Sequence, residues 1–243
     1  TTASAERTGS RHPAMSDSGP RLTVVDHPLV RDKVARVRDV NTKPDAFRRL
    51  IHELSLLAAY EALHDLPTVA STVQTPLTTT EAHMLVDPAP AVVGVLRAGL
   101  SMVEAVLQLL PEAMVGHIGL YRDHDTLTPV EYLVKLPTNI EAREVLVVDP
   151  MLATGGSIVH ALDVLKRAGA SKIRLLSLFG APEGVAAVHT AHPDVPITLA
   201  ALSALLDDVI GSPATGTILE STAAAVEQLQ AQGVLRVSAD PGL

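Results

Sequence analysis

Short apolar runs rich in β-branched residues alternate along this chain with stretches whose apolar positions recur every three or four residues. Leu22 to Val25 reads as a short strand. Ala91 to Leu96, Val145 to Val148, Ile173 to Phe179 and Ile197 to Leu199 read as buried strands, being apolar at nearly every position. From Pro44 to His64, the residues Phe47, Leu50, Ile51, Leu54, Leu57 and Ala58 fall on one side of an amphipathic helix. Two further helices follow strands directly: Leu100 to Leu110, stopped by Pro111, and Ser157 to Ala168, stopped by Gly169. Strand, helix and strand in succession form the crossover that parallel pairing requires. The order predicts an α/β fold: a parallel twisted sheet with helices on both faces. The polar stretch Tyr121 to Pro137 contains Pro129 and is flanked by strand candidates around Val115 to Leu120 and Val130 to Val134, so it predicts a mobile hairpin.

The ends of the chain read differently. Residues 1–20 carry few large apolar side chains and predict a disordered leader, with Met15 a candidate start; residues 21–202 form the domain. Residues 203–243 are a C-terminal segment whose packing on that domain stays open, with a helix predicted from Ser221 to Gln232 and an apolar run from Val234 to Val237. At 243 residues and 47% apolar, the chain can fill one sizeable core. The lack of cysteine removes disulfides, thiolate catalysis and a cysteine-bound zinc, and makes the cytoplasm the expected compartment. No apolar run approaches the roughly 20 residues of a membrane span, and the first twenty residues are unlike a secretory signal. A net charge of -8 without a Lys/Arg cluster argues against nucleic acid as a partner, yet leaves room for a small phosphorylated ligand.

The segment that speaks of chemistry is Asp149-Pro150-Met151-Leu152-Ala153-Thr154-Gly155-Gly156-Ser157, where a buried strand runs into a turn and then a helix. Two glycines let the backbone turn so that successive N–H groups converge. Thr154 and Ser157 add hydroxyls, and the helix start adds the positive end of its dipole. Neither the P-loop spacing nor the dinucleotide-binding glycine spacing occurs. Asp149, at the carboxyl end of its strand, is placed to accept hydrogen bonds from the ribose hydroxyls of a bound 5-phosphoribose. Taken alone, Thr-Gly-Gly-Ser is more often a plain helix cap; the preceding aspartate and strand tip the reading towards phosphate.

The same segment resembles the phosphoribosyl pyrophosphate (PRPP) signature of the uracil phosphoribosyltransferase family, down to Pro150 where most other phosphoribosyltransferases carry a second acid. Matches in family order include Asp26 to Val30, Thr42-Lys43 with Phe47-Arg48, Tyr60-Glu61-Ala62, Leu96 to Leu100, Tyr121-Arg122-Asp123, Ala181 to Gly184 and His192 to Val195, covering roughly residues 22–200. The resemblance implies a type I phosphoribosyltransferase fold and the reaction of uracil with PRPP to give UMP and pyrophosphate. It implies that Arg97 and Arg122 hold the pyrophosphate and that Asp149, Pro150, Met151, Leu152, Ala153, Thr154, Gly155, Gly156 and Ser157 hold the ribose and its 5-phosphate, with Asp149 and Arg122 taking the catalytic roles. Mg²⁺ carried on PRPP, a homodimer or higher oligomer, and activation by GTP in some relatives are implied with it. From chemistry alone, Arg97 is better explained by a solvated loop and Arg122 by a salt bridge with Asp123 or Asp125; the resemblance tips both towards function. Lys43 divides evenly between a cation at the site and a surface residue before a helix, and His189 and His192 read as a helix end rather than a metal pair.

After Leu202 the resemblance stops. The family's base-reading segment, of the type Asn-Glu-x-Gly-Tyr-Ile-x-Pro-Gly-Leu-Gly-Asp-Ala-Gly-Asp, has no counterpart, so no base-binding residue is carried over. Asp207 and Asp208 read as ordinary loop acids. A divergent base pocket, a rearranged terminus, a transferase for another base, and a PRPP- or nucleotide-binding protein without transfer activity all stay open at this point.

Overall fold

The computed structural model describes residues 21–122, 129–203 and 235–238. The chain enters through β1 (Leu22–Val25), α1 (Pro28–Arg38) and α2 (Pro44–Ala62). It then makes a two-stranded antiparallel ribbon of β2 (Thr68–Gln74) and β3 (Thr79–Leu85) that stands apart from the main sheet. Next come β4 (Ala91–Leu96), α3 (Leu100–Leu109), the antiparallel pair β5 (Met114–Arg122) and β6 (Pro129–Lys135), and β7 (Glu144–Val148). The last third holds β8 (Met151–Leu152), α4 (Gly156–Arg167), β9 (Lys172–Gly180), α5 (Pro182–Ala191), β10 (Ile197–Leu202) and β11 (Leu235–Ser238). The main sheet runs β11-β1-β10-β9-β7-β4-β5-β6, with β8 beside β9. Every pairing in it is parallel except that of β5 with β6.

Alternation along each strand divides the core in two. Val145 and Val147 of β7 face one side, with Val93, Leu175 and Leu199, and are covered by Ile158, Ala161, Leu162, Val185 and Val188 of α4 and α5. Leu146 and Val148 face the other, with Val92, Leu176 and Leu178, and are covered by α1, α2 and α3 through Val34, Leu54, Ala58, Met102 and Val106. Both faces of the central strands are therefore dry, which is why their sequence is a continuous apolar run. Each large aliphatic chain withdrawn from water here contributes roughly 1.5–3 kcal/mol.

The expected strands and helices fall within one or two residues of their positions, except that the strand expected over Ile197 to Leu199 runs on to Leu202, and the expected hairpin is the β5–β6 pair; its tip, residues 123–128, lies outside the described residues. Three features differ. The sheet is not parallel throughout, because the hairpin adds β6 as an antiparallel edge. Phe47 is 43% exposed despite its place in the apolar stripe of α2, since it lies in the first turn and burial begins only at Leu50. The apolar run at Val234 to Val237 is seated in the sheet as β11, parallel to β1 with Leu22 opposite Leu235. The predicted leader and the helix predicted from Ser221 to Gln232 lie outside the described residues.

Candidate functional site

The carboxyl ends of β7, β4 and β5 meet at one edge of the sheet. The Asp149 N–H donates to the Leu176 carbonyl at 3.2 Å, so the residue still belongs to the ladder when its side chain leaves the strand. Its Oδ1 accepts from the Met151 N–H at 3.5 Å. Part of Asp149 reaches the cleft, but its carboxyl sits deep enough that burial pushes it up to about 7, against a weak downward pull from the Met151 amide.

The next residues are pinned to β9. Phe179 N–H donates to the Pro150 carbonyl at 3.0 Å, and Ala181 N–H to the Leu152 carbonyl at 2.8 Å. Pro150 serves here as an acceptor only, so its missing amide costs nothing. The turn then opens at Thr154, which is exposed, and passes through Gly155 at φ 82°, a left-handed conformation that suits glycine. From below, the turn rests on α5. A β-carbon on Gly184 would overlap the Ala153 carbonyl and lie 2.8 Å from that of Leu152, and one on Gly155 would lie 2.9 Å from Ala187 Cβ. At Gly156 the opposite holds, with nothing within 4 Å of an added β-carbon. The N-cap of α4, Gly155, has no side chain with which to cap it. The result is a rigid turn, buttressed behind and open in front, with the positive end of a helix dipole aimed into the opening.

The second half of the site comes from β4. The Leu96–Arg97 peptide is cis. A β-carbon on Gly99 would lie 2.5 Å from the Val148 carbonyl, which puts the Arg97 to Gly99 loop directly beside the end of β7, where Asp149 begins. Arg97 is exposed; its carbonyl accepts from the Leu100 N–H at 3.3 Å, and its guanidinium makes no hydrogen bond or ion pair with any described residue. Arg122 is the last residue of β5, in register with Pro129 of β6, at the same edge of the sheet. Its side chain, with Asp123 and Asp125, lies outside the described residues.

Lys43 is the exposed N-cap residue of α2 and gives that helix no side-chain cap. His189 and His192 are at the end of α5. His192 Nε2 lies 3.3 Å from Asp163 and from the Val159 carbonyl, and burial lowers the pKa of His189. Among the described residues no three His, Cys, Asp or Glu side chains group as a metal would need. Asp207 and Asp208 lie outside the described residues. Two features escaped the sequence reading. Gly184 was noticed only as part of a family match, although it supports the turn. Glu131 joins His160 and Arg167, a contact that no short motif encodes.

A family model described as uracil phosphoribosyltransferase matches residues 24–217, thus continuing past Leu202. The chain belongs to the uracil phosphoribosyltransferase family. It is 53% identical to the uracil phosphoribosyltransferase of Symbiobacterium thermophilum over 77% of this chain and 90% of that protein. To that of Listeria innocua it is 52% identical over 76% of this chain and 88% of the relative. Among solved structures, the AQ2163 protein from Aquifex aeolicus superposes with a TM-score of 0.71 at 31% identity, covering 75% of this chain and 87% of that one. An adenine phosphoribosyltransferase from Trypanosoma brucei, at TM-score 0.50 and 14% identity, covers 79% of this chain and 87% of its own and shares the fold. The type I phosphoribosyltransferase fold expected from the resemblance is the fold of this chain. Among the described residues no helix is long and apolar enough to cross a membrane.

Proposed function

We propose that this chain transfers the 5-phosphoribosyl group of PRPP to N1 of uracil, giving UMP and pyrophosphate. The observation that carries the reading is one sheet edge in a member of this family. There a carboxyl, an open helix start and an arginine without an anionic partner among the described residues come from neighbouring strands. The 5-phosphate is taken by the backbone from Thr154 to Ser157 and by the start of α4, and the ribose hydroxyls donate to Asp149. Arg97 and Arg122 take the pyrophosphate. As the C1–O bond breaks and the N1–C1 bond forms, negative charge gathers on the departing pyrophosphate, and guanidiniums held nearby grip it more tightly than in the ground state. The N1 proton leaves with the pyrophosphate or to solvent. Alignment of N1 with C1 and exclusion of water supply the rest, with no covalent intermediate.

Mg²⁺ fits this site as a passenger on PRPP, since Asp149 is the one acid at the turn and Pro150 follows it; a metal held mainly by substrate oxygens needs no protein cage. Bound there, it would neutralise pyrophosphate charge. A homodimer or higher oligomer goes with this reading. It is supported by the β2–β3 ribbon, which exposes Val69, Leu77 and Met84 and has no third strand to lean on. The cytoplasm is the compartment the reading implies, and GTP is an activator to be added to the same assay.

The test is formation of UMP from uracil, PRPP and Mg²⁺ by the full chain beside Asp149→Asn and Arg97→Ala, with other bases run in parallel. Uracil-dependent product formation suppressed in both variants is the expected result. Tight PRPP binding with no transfer to any base would overturn it, and transfer to a different base would move the specificity.

A further inference from the structure

Outside the turn and the arginine loops, one polar cluster joins two parts of the site that the sheet itself does not connect. Glu131 lies on β6 opposite Leu120, two rungs of the ladder from the Arg122–Pro129 pair. Its Oε1 accepts from His160 Nε2 at 2.7 Å and from Arg167 Nη2 at 2.8 Å. His160 and Arg167 lie on α4, the helix whose first residue follows the phosphate turn; they are two turns apart and so share one face. Among the described residues β6 is the edge strand of the sheet and is paired on one side only, by β5. An edge hairpin without further support opens easily. Glu131 supplies that support along α4, from His160 in its second turn to Arg167, its last residue.

Resting on the function proposed above, we infer that Glu131, His160 and Arg167 form a clamp that sets the distance between the 5-phosphate end and the pyrophosphate end of the PRPP site. PRPP must be gripped at both ends at once. Its 5-phosphate is held by the start of α4, whereas one of its pyrophosphate ligands, Arg122, rides on the hairpin. Without the clamp β6 would be tied to the domain through its ladder with β5 and the packing of Leu136 at its end, and each docking of PRPP would have to order the hairpin. With the clamp, the hairpin is registered to α4 before substrate arrives, which lowers the ordering cost of binding. Glu131 is thus a positioning residue, acting through Arg122 and touching no substrate. The His160 and Arg167 bonds keep the Glu131 carboxyl below its ordinary range, so the clamp is charged at neutral pH on its acidic side.

The experiment compares the full chain with Glu131→Ala, His160→Ala, their double variant and Glu131→Gln, which keeps the acceptor but not the charge. Glu131→Ala should raise the KM for PRPP roughly five- to tenfold while leaving the KM for uracil within about twofold, a loss in keeping with a part-exposed charged cluster. Glu131→Gln should recover part of that loss, and the double variant should fall well short of the product of the singles. Hydrogen exchange should quicken in the amides of β5 and β6 and stay unchanged in β4 and β7. Unchanged exchange in the hairpin, or equal effects on both substrates, would overturn the clamp. If the unsubstituted chain makes no UMP, the activity reading fails instead, and hairpin exchange with PRPP affinity by calorimetry still decides the clamp.

Discussion

Asp149 is held in two conflicting states, one for folding and one for binding, and Asp149→Asn separates them. Burial lifts its carboxyl from 3.8 to about 7. Between these values the folded chain keeps a proton that the unfolded chain has released, so stability declines as pH rises through this window and levels off above it. At 1.36 kcal/mol for each unit, the gap corresponds to about 4 kcal/mol of lost stability in the absence of substrate, and relaxation around a residue that partly reaches the cleft reduces this to about 2 kcal/mol. Asparagine has the same shape and no charge to desolvate. Thermal unfolding from pH 4 to 8 should therefore show the two proteins nearly together at pH 4. By pH 8 the variant should melt roughly 4–8 °C higher, at about 2–4 °C for each kcal/mol in a domain of this size. The same substitution should cut kcat/KM for PRPP by about 10²-fold, because ribose hydroxyls lose an ionised acceptor. An offset in melting temperature that is constant across pH, or an asparagine variant less stable at pH 8, would refute the reasoning.

The remaining expectations divide the site by mechanism. Arg97→Ala should raise the KM for PRPP and weaken inhibition by pyrophosphate, each by about 10-fold or more, with unfolding unchanged within about 0.5 kcal/mol, as steady-state kinetics beside calorimetry will show. Gly184→Ala should destabilise the fold by about 2 kcal/mol or more by driving a methyl into the Ala153 carbonyl, and PRPP affinity should fall with it. Gly156→Ala should leave the melting temperature nearly unaltered, since the added carbon meets nothing, yet obstruct the 5-phosphate, a loss visible as PRPP affinity by calorimetry. For the unsubstituted chain, kcat/KM for PRPP should rise as pH increases through about 7, when Asp149 ionises in the free protein.

Much of the fold could be read because the central strands are buried on both faces. Val145 to Val148 is apolar at every position and Ile173 to Phe179 at all but Arg174 and Ser177, and that signal survives without neighbours. α1 was missed although Val30, Val34 and Val37 are spaced for one buried face; the rest of the helix is charged, and valine is a weak helix former. The β2–β3 ribbon covers no core, so its strands carry no alternation to read, and the short α5 buries little beyond Gly184, Val185 and Val188. At the site, the strand, turn and helix from Asp149 to Ser157 could be read because they are local in sequence. The support of that turn by Gly184, and the tie from Glu131 to residues 29 and 36 positions further along, depend on packing between distant segments, which no short spacing rule records.

The proposed 5-phosphate cradle is made from main chain, with α5 pressed against its back and nothing within 4 Å of a β-carbon on Gly156, and it would place an unusual demand on the residues around it. Their chemistry is nearly free and their bulk is not. A saturation library across positions 153–157 and 184 would be pruned by volume rather than by charge: hydroxyl, amide or methyl groups of modest size would pass at 154 and 157, while 155, 156 and 184 would return glycine, the first and last for want of room or conformation and the middle one for the sake of the ligand.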